Sequence, residues 1–256
     1  MRSLLRPRDS RSRLGACLGV FALIGLQAPA ARADEGAATV SVQAVQPTGD
    51  GKARVSECSG ALIAPDIVLT AGHCLDIAAT PAHVAVFAYR DGKPLPQPLP
   101  VAAFARHPGH VVGWRDRPGD PETRQREIAA DLALIRLKAP VAGAAPIGFA
   151  AFASPDGSIA GTGADRAGGR SGALKRARLS AARASTGDGA RVVFATASAT
   201  VCGGDSGGPA TANGAVWGVV AAVLRPKGGC GGRVAIAPVD PDSAGFRAMR
   251  GGIGAK

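Results

Sequence analysis

Residues 202–209 read Cys-Gly-Gly-Asp-Ser-Gly-Gly-Pro, and no other stretch of the chain constrains its fold and chemistry as strongly. A nucleophilic serine needs an exposed hydroxyl and backbone N–H groups that point at a developing oxyanion. Glycines on both sides of Ser206 allow the tight backbone path that brings those groups together. An ordinary turn is the alternative interpretation, because each of these residue types favours turns. A match of eight residues in this order favours the nucleophile.

A second segment supplies a candidate general base. Residues 69–74 read Leu-Thr-Ala-Gly-His-Cys, and histidine suits this role because its unperturbed pKa lies near neutrality. The alternative is a structural histidine beside a disulfide. The sequence surrounding His73 favours the catalytic interpretation, whereas the other three histidines have no comparable context: His83, His107 and His110.

A third segment contains a single acid before a run of strand-forming residues. Residues 130–137 read Ala-Asp-Leu-Ala-Leu-Ile-Arg-Leu. A buried carboxylate is costly unless it has a partner, and a histidine N–H would provide one for Asp131. An exposed aspartate at the start of a strand is the alternative.

The rest of the chain predicts an all-β protein. Hydrophobic residues make up 46% of the sequence, aromatic residues only 4%, and there are 36 glycines, a mixture that suits many short strands separated by turns. A short terminal helix is expected over Asp240–Arg250, capped by Asp240 or Asp242, and a surface loop over Gly109–Arg126. The predicted strands are Thr39–Val45, Ser59–Ile63, Ile67–Thr70, Val84–Ala88, Ala129–Leu137, Ser158–Thr162, Lys175–Ala182, Arg191–Ala195, Ala215–Leu224 and Arg233–Val239.

The N-terminus predicts export. Arginines precede an apolar run from Leu14 to Leu26, which ends before Ala31-Arg32-Ala33, a typical cleavage signature. Residues 1–33 are therefore expected to be a signal peptide removed after Ala33, which lowers the net charge from +11 to about +6. We expect a secreted protein, extracellular or periplasmic, that is monomeric and binds neither membrane nor nucleic acid.

Four cysteines remain after that cleavage, an even number that predicts two disulfides in an exported chain. Sequence alone allows three pairings. Zinc binding is the rival interpretation, but the chain has neither C-x-x-C nor H-x-x-x-H spacing, and we expect no metal and no cofactor. The four residues are Cys58, Cys74, Cys202 and Cys230.

Taken together, the three segments resemble the signatures of the chymotrypsin/trypsin-like serine protease family, in the bacterial secreted form: T-A-x-H-C, D-[IL]-A-L and G-D-S-G-G-P. The flanking stretch Cys-Ser-Gly-Ala-Leu-Ile, residues 58–63, is similar to the family's C-[GS]-G-[ST]-L-I. The resemblance extends from about Thr39 to about Arg250. It implies two six-stranded antiparallel β-barrels, at about 37–140 and about 146–240, with the active site between them and a short C-terminal helix.

The resemblance also implies roles for individual residues. Ser206 would attack the scissile carbonyl, His73 would transfer protons, and Asp131 would orient the histidine. The N–H groups of Gly204 and Ser206 would form the oxyanion hole, and the disulfides would be Cys58–Cys74 and Cys202–Cys230. The implied activity is a secreted endopeptidase acting on proteins or peptides. A catalytically silent homologue that binds proteins and an esterase with the same triad are the alternatives.

Two features depart from the family pattern. The base of the specificity pocket would be Thr200 rather than the aspartate that suits Arg or Lys at P1. Val223 and Val234 would stand on its walls and favour small apolar P1 residues. Family zymogens usually expose an apolar N-terminus whose amine pairs with the acid before the nucleophile, here Asp205. Because no such motif follows Ala33, either signal cleavage activates the enzyme directly or another group pairs with Asp205.

Overall fold

A computed structural model describes residues 35–150, 157–187 and 189–255. The expected signal peptide, its cleavage point after Ala33 and the new terminus at Asp34 lie outside the described residues. Within the described ranges, no helix combines the length and the apolar character needed to cross a membrane.

The first half of the chain forms a six-stranded antiparallel sheet in the order β4-β1-β2-β3-β8-β7. The sheet curls, and an isolated bridge between Val86 and Leu99 joins β4 to the residues just before β7. The predicted six strands are confirmed, although this half is a curled half-barrel rather than a continuously bonded cylinder. Its strands are β1 (Thr39–Pro47), β2 (Ala53–Ala64), β3 (Ile67–Thr70), β4 (Val84–Phe87), β7 (Val101–Arg106) and β8 (Ala133–Leu137), with β5 (Tyr89–Arg90) and β6 (Lys93–Pro94) pairing separately.

The second half is a closed six-stranded barrel in the order β10-β11-β14-β13-β12-β9, with β9 pairing to β10 to complete it. Its interior is filled by alternating apolar side chains, among them Trp217, Val220 and Ile236, which stabilise the barrel through burial of their apolar surface. The strands are β9 (Ser158–Gly161), β10 (Lys175–Gly187), β11 (Ala190–Val201), β12 (Pro209–Ala212), β13 (Ala215–Val223) and β14 (Gly231–Pro238).

Three short α-helices complete the described structure: α1 (Glu35–Ala38), α2 (Gln125–Ala129) and α3 (Ala244–Gly252). Helix α3 confirms the predicted terminal helix, but its predicted caps are wrong. Ser243 caps it, because its Oγ accepts a hydrogen bond from the N–H of Phe246 at 3.1 Å. Asp240 instead accepts from the N–H of Asp242 and shapes the preceding turn.

Some element boundaries differ from the sequence prediction. The expected strand at 129–137 begins only at Ala133, because helix α2 ends at Ala129 and the intervening residues turn the chain toward the sheet. The expected loop at 109–126 contains two 3-10 turns, one of which buries Trp114 completely. Strands β5, β6, β7 and β12 were not predicted; β12 follows the glycine-rich turn directly and consists largely of small residues.

Candidate active site

Strand pairing brings His73 and Asp131 together. Strand β3 pairs antiparallel with β8, with Thr70 opposite Ala133. His73 lies in the 3-10 turn after β3, and Asp131 lies just before β8. His73 Nδ1 is 2.7 Å from Asp131 Oδ2, and the N–H of His73 donates to Asp131 Oδ1 at 2.8 Å. The two bonds fix the histidine ring relative to the carboxylate.

Asp131, the carboxylate of this pair, is completely buried. Burial raises the pKa of Asp131, but the charge of His73, the two hydrogen bonds from that residue and the charge of His110 together lower it below its ordinary value. The carboxylate is therefore ionised at neutral pH. This satisfies the requirement, inferred from the sequence, that a buried Asp131 should have a partner.

Ser206 lies on the turn between β11 and β12, where the two halves of the fold meet. Its carbonyl accepts a hydrogen bond from the N–H of Ser59 on β2 at 2.7 Å. The neighbouring glycines are required by the backbone: Gly207 has φ +85°, and a Cβ there would lie 2.1 Å from the carbonyl oxygen of Ser59. Gly204 has φ +95°, and its Cβ would lie 2.7 Å from the Cα of Gly163. Both close approaches exclude larger residues.

Arg115 occupies the space between the histidine and the serine. Its Nη1 lies 2.7 Å from His73 Nε2 and 3.2 Å from Ser206 Oγ. In the described part of the chain no direct hydrogen bond joins His73 to Ser206. The fold thus brings the three residues predicted from the sequence close together. A fourth side chain, that of Arg115, lies between two of them, since its Nη1 contacts both His73 and Ser206.

The Arg115 contact defines which ring nitrogen of His73 accepts a hydrogen bond and which one donates. A guanidinium has no acceptor atom, so His73 Nε2 accepts the hydrogen bond and Nδ1–H donates to Asp131. Although much of the Arg115 side chain is exposed to solvent, its guanidinium lies against the protein. Desolvation lowers its pKa, and the charges of Asp131 and Asp116 oppose this shift. Arginine nevertheless stays charged in proteins. A ring nitrogen that accepts a hydrogen bond is the group that a general base needs.

His110 is a further residue of the site that the sequence did not indicate. Its side chain is only 2% exposed, with Nε2 2.8 Å from Asp76 Oδ1 and Nδ1 3.5 Å from Asp131 Oδ1. Gly72 makes room for it, since a Cβ there would lie 2.5 Å from His110 Nδ1. The sequence around His110 has no motif like that around His73, and the fold alone brings its side chain to Asp131.

Two disulfides brace the site from either side. Cys58 bonds to Cys74, next to His73, and Cys202 bonds to Cys230, at the start of the nucleophile turn. These are the pairings that the family resemblance implied. They tie the histidine turn to β2 and the nucleophile turn to the start of β14.

Asp205, the acid before the nucleophile, is 5% exposed. It accepts hydrogen bonds from the N–H groups of Gly163, at 2.9 Å, and Cys202, at 2.8 Å. Its Oδ2 also lies 2.7 Å from the ammonium nitrogen of Lys175. The group that pairs with Asp205 in this structure is therefore a lysine side chain.

The three expected pocket residues differ in their exposure to solvent. Thr200 is exposed and lines a small cavity of about 30 Å³ beside Lys175 and Asp205. Val223 is half-buried, and its direct cross-strand partner is Val234. Val234 is completely buried in the core of the closed barrel. That these three residues form the specificity pocket stays a prediction.

Solved structures share this fold. The protease Rv3671c from M. tuberculosis, in its active form, is 20% identical with a TM-score of 0.53, over 87% of this chain and 83% of its own. HL collagenase is 17% identical with a TM-score of 0.57, over 86% and 94%. The inactivated protease paralogue S-D1 of the scabies mite is 18% identical with a TM-score of 0.52, over 78% and 86%. No curated protein matches by sequence.

At these identities the structural likeness establishes the fold alone, and proteins described as active and as inactivated both share it. The sequence itself matches the trypsin family over residues 30–240. That range contains both sheets, both disulfides and every residue of the site described above. The chain therefore belongs to the trypsin family of serine proteases.

Proposed function

We propose that the chain is a serine endopeptidase with Ser206 as nucleophile, His73 as general base and Asp131 as the residue that orients the histidine. One observation carries this proposal: residues from three distant segments converge at the Arg115 guanidinium. His73 is fixed by two hydrogen bonds to a buried, ionised Asp131. Its other ring nitrogen, Nε2, faces the hydroxyl of Ser206 across the Arg115 guanidinium.

The chemistry requires Arg115 to leave this position. His73 Nε2 then takes the proton of Ser206 Oγ as the oxygen attacks the scissile carbonyl carbon, and gives it to the leaving amine as the C–N bond breaks. A water attacks the acyl-enzyme by the same proton route and frees the serine. The N–H groups of Gly204 and Ser206 are the proposed oxyanion donors, each worth about 3 kcal/mol of transition-state stabilisation.

A cleft beside His73 supports binding of an extended substrate. A cavity of about 400 Å³ adjoins the histidine and is lined partly by Arg54, Ser56 and Arg115. It lies next to His73, the residue that protonates the leaving amine in this mechanism. A peptide running past Ser206 would place the part after the scissile bond there, which favours an endopeptidase over an esterase for small substrates.

We propose a preference for small apolar P1 residues. Thr200 offers no negative charge for Arg or Lys, and Val223 adds a branched side chain where smaller residues are common in the family. A panel of peptides that differ only at P1 tests this. Fastest cleavage after Ala or Val is expected, and dominance of Arg or Lys substrates would contradict the assignment.

We further propose export after cleavage at Ala33, with the two halves spanning about 37–140 and about 146–240. The two disulfides support an oxidising compartment. Proteins or peptides are the expected partners of a monomeric enzyme. Mass spectrometry of secreted material should find a chain that begins at Asp34; a retained N-terminus would contradict this part of the proposal.

The activity is tested by hydrolysis of an unfolded protein substrate. The purified chain should cleave it, while Ser206→Ala and His73→Ala should not. Arg115 favours a second candidate function, a silent homologue that binds proteins through the same cleft, because its guanidinium separates the two reacting residues. Tight substrate binding without cleavage, unchanged by Ser206→Ala, would support that alternative and refute the proteolytic function.

A further inference from the structure

The buried carboxylate of Asp205 has a fixed cation beside it. Lys175 Nζ lies 2.7 Å from Asp205 Oδ2, with exposed side-chain fractions of 25% and 6%. The same ammonium donates a hydrogen bond to the carbonyl oxygen of Ala164. A carboxylate this deeply buried is costly without a counter-charge, and removal of one member of such a pair leaves the other uncompensated.

The fold places Lys175 at this position. Lys175 is the first residue of β10, and it pairs with Gly161 on β9. Gly161 keeps the path to the carboxylate open, since a Cβ there would lie 2.5 Å from Asp205 Oδ1. The ion pair therefore joins the wall of the closed barrel to the turn that carries the nucleophile.

Asp205 in turn holds the backbone of that turn. Its carboxylate accepts from the N–H of Cys202, its own N–H donates to the carbonyl of Cys202, and its carbonyl accepts from the N–H of Gly208. These bonds enclose Gly204 and Ser206, the proposed oxyanion donors. The orientation of both N–H groups thus depends on where the Asp205 carboxylate sits.

We propose that Lys175 is a positioning residue that acts through Asp205 and makes the nucleophile turn competent without a newly exposed N-terminal amine. In zymogens of the family such an amine pairs with the acid before the nucleophile. Here the cation is internal to the chain, on a strand formed as the barrel folds. The inference rests on the proposed function, because competence is measured as reactivity of Ser206.

The test compares rate constants for labelling by a peptidyl phosphonate. Lys175→Ala should label at least ~100-fold more slowly than the unaltered protein, the order of effect expected when an oxyanion donor is misplaced. Lys138→Ala is the matched control, since Lys138 is exposed and its backbone N–H, which the substitution keeps, donates to the carbonyl of Pro100. It should label at the unaltered rate. Thermal unfolding of each variant shows that the labelled population is folded.

Two further arms separate positioning from general structural support. Ethylammonium chloride should restore labelling of Lys175→Ala, while tetramethylammonium chloride at equal ionic strength should not. The double variant with Lys175→Ala and Asp205→Asn should be labelled no more slowly than the slower of the two single variants, because the two residues act as one unit.

The N-terminus should have no effect on labelling. An unaltered chain with an uncleavable extension before residue 34 should be labelled as fast as a chain that begins at residue 34.

The outcomes are distinguishable from failure of the proposed function. If the unaltered protein is not labelled, the proposed function fails and Lys175 has no competent nucleophile to position. If it is labelled and Lys175→Ala is labelled equally fast, the inference is overturned while the function stands. Loss of labelling on N-terminal extension, or additive effects of the two substitutions, would also overturn it.

Discussion

The guanidinium of Arg115 donates to Nε2 of His73 at 2.7 Å, the nitrogen that receives the proton of Ser206 in the proposed mechanism. The same nitrogen contacts the serine oxygen at 3.2 Å. A cation in that position blocks proton transfer from serine to histidine. In the proposed mechanism this arrangement is therefore a resting one, and Arg115 has to be displaced by substrate or by its own motion before the proton can move.

Replacing Arg115 should raise reactivity. Hydrogen bonds with a charged donor contribute about 1.5–3 kcal/mol, so Arg115→Ala is expected to increase phosphonate labelling by about 10- to 150-fold. Arg117→Ala is the matched control, because Arg117 is exposed and pairs with Glu127 instead. A fall in labelling for Arg115→Ala would show that the arginine assists the reaction rather than blocking it.

The lowered pKa of Asp131 predicts a pH-dependent stability. Its ionisation contributes stability that is fully present above its unfolded pKa, about 4, and is lost as pH falls through the lower folded value. The free energy of unfolding of the unaltered protein and of Asp131→Asn, measured by denaturant titration, should therefore differ most near neutrality. The gap should narrow below about pH 4. A gap that stays constant down to pH 2 would contradict the ionised, paired carboxylate.

The close packing of Gly72 against His110 predicts that a larger residue at position 72 destabilises the protein. In Gly72→Ala the added Cβ would lie 2.5 Å from a buried ring atom, and such overpacking typically costs about 1–3 kcal/mol of stability. Gly49→Ala is the control, because nothing lies within 4 Å of its Cβ position. Equal unfolding temperatures for the two variants would refute the tight packing of His110 behind the histidine turn.

The disulfide between Cys202 and Cys230 closes a loop with a sequence separation of 28. Replacing both cysteines with alanine should lower the free energy of unfolding by about 2–5 kcal/mol. Because the bond anchors the start of the nucleophile turn, labelling of the folded variant should slow as well. Unchanged stability under oxidising conditions would contradict its bracing role.

Local motifs could be predicted from the sequence because each has one dominant physical cause. The glycines around Ser206 are required by positive φ angles and backbone contacts, and the apolar segments that predicted β1 and β3 form strands that are largely buried. The exposed ends of β10 and β11 carry little apolar alternation, so their predicted strands were too short.

Residues that enter the site from distant loops could not be predicted. Arg115 lies on a polar loop and Lys175 at the start of a strand, and neither has a motif of its own. Both become part of the site only through the fold, which places one at His73 and the other at Asp205. The family resemblance places Val234 on a pocket wall, and only the fold shows that its side chain is buried among the apolar residues of the barrel.

Peptide mapping after reaction with a peptidyl phosphonate measures most directly whether Ser206 is an activated nucleophile, as proposed. One phosphonyl group per chain should be found on the peptide that contains Ser206, with none on Ser206→Ala and strongly reduced labelling of His73→Ala. An adduct on another residue, or no adduct on the folded, unaltered protein, would contradict the account.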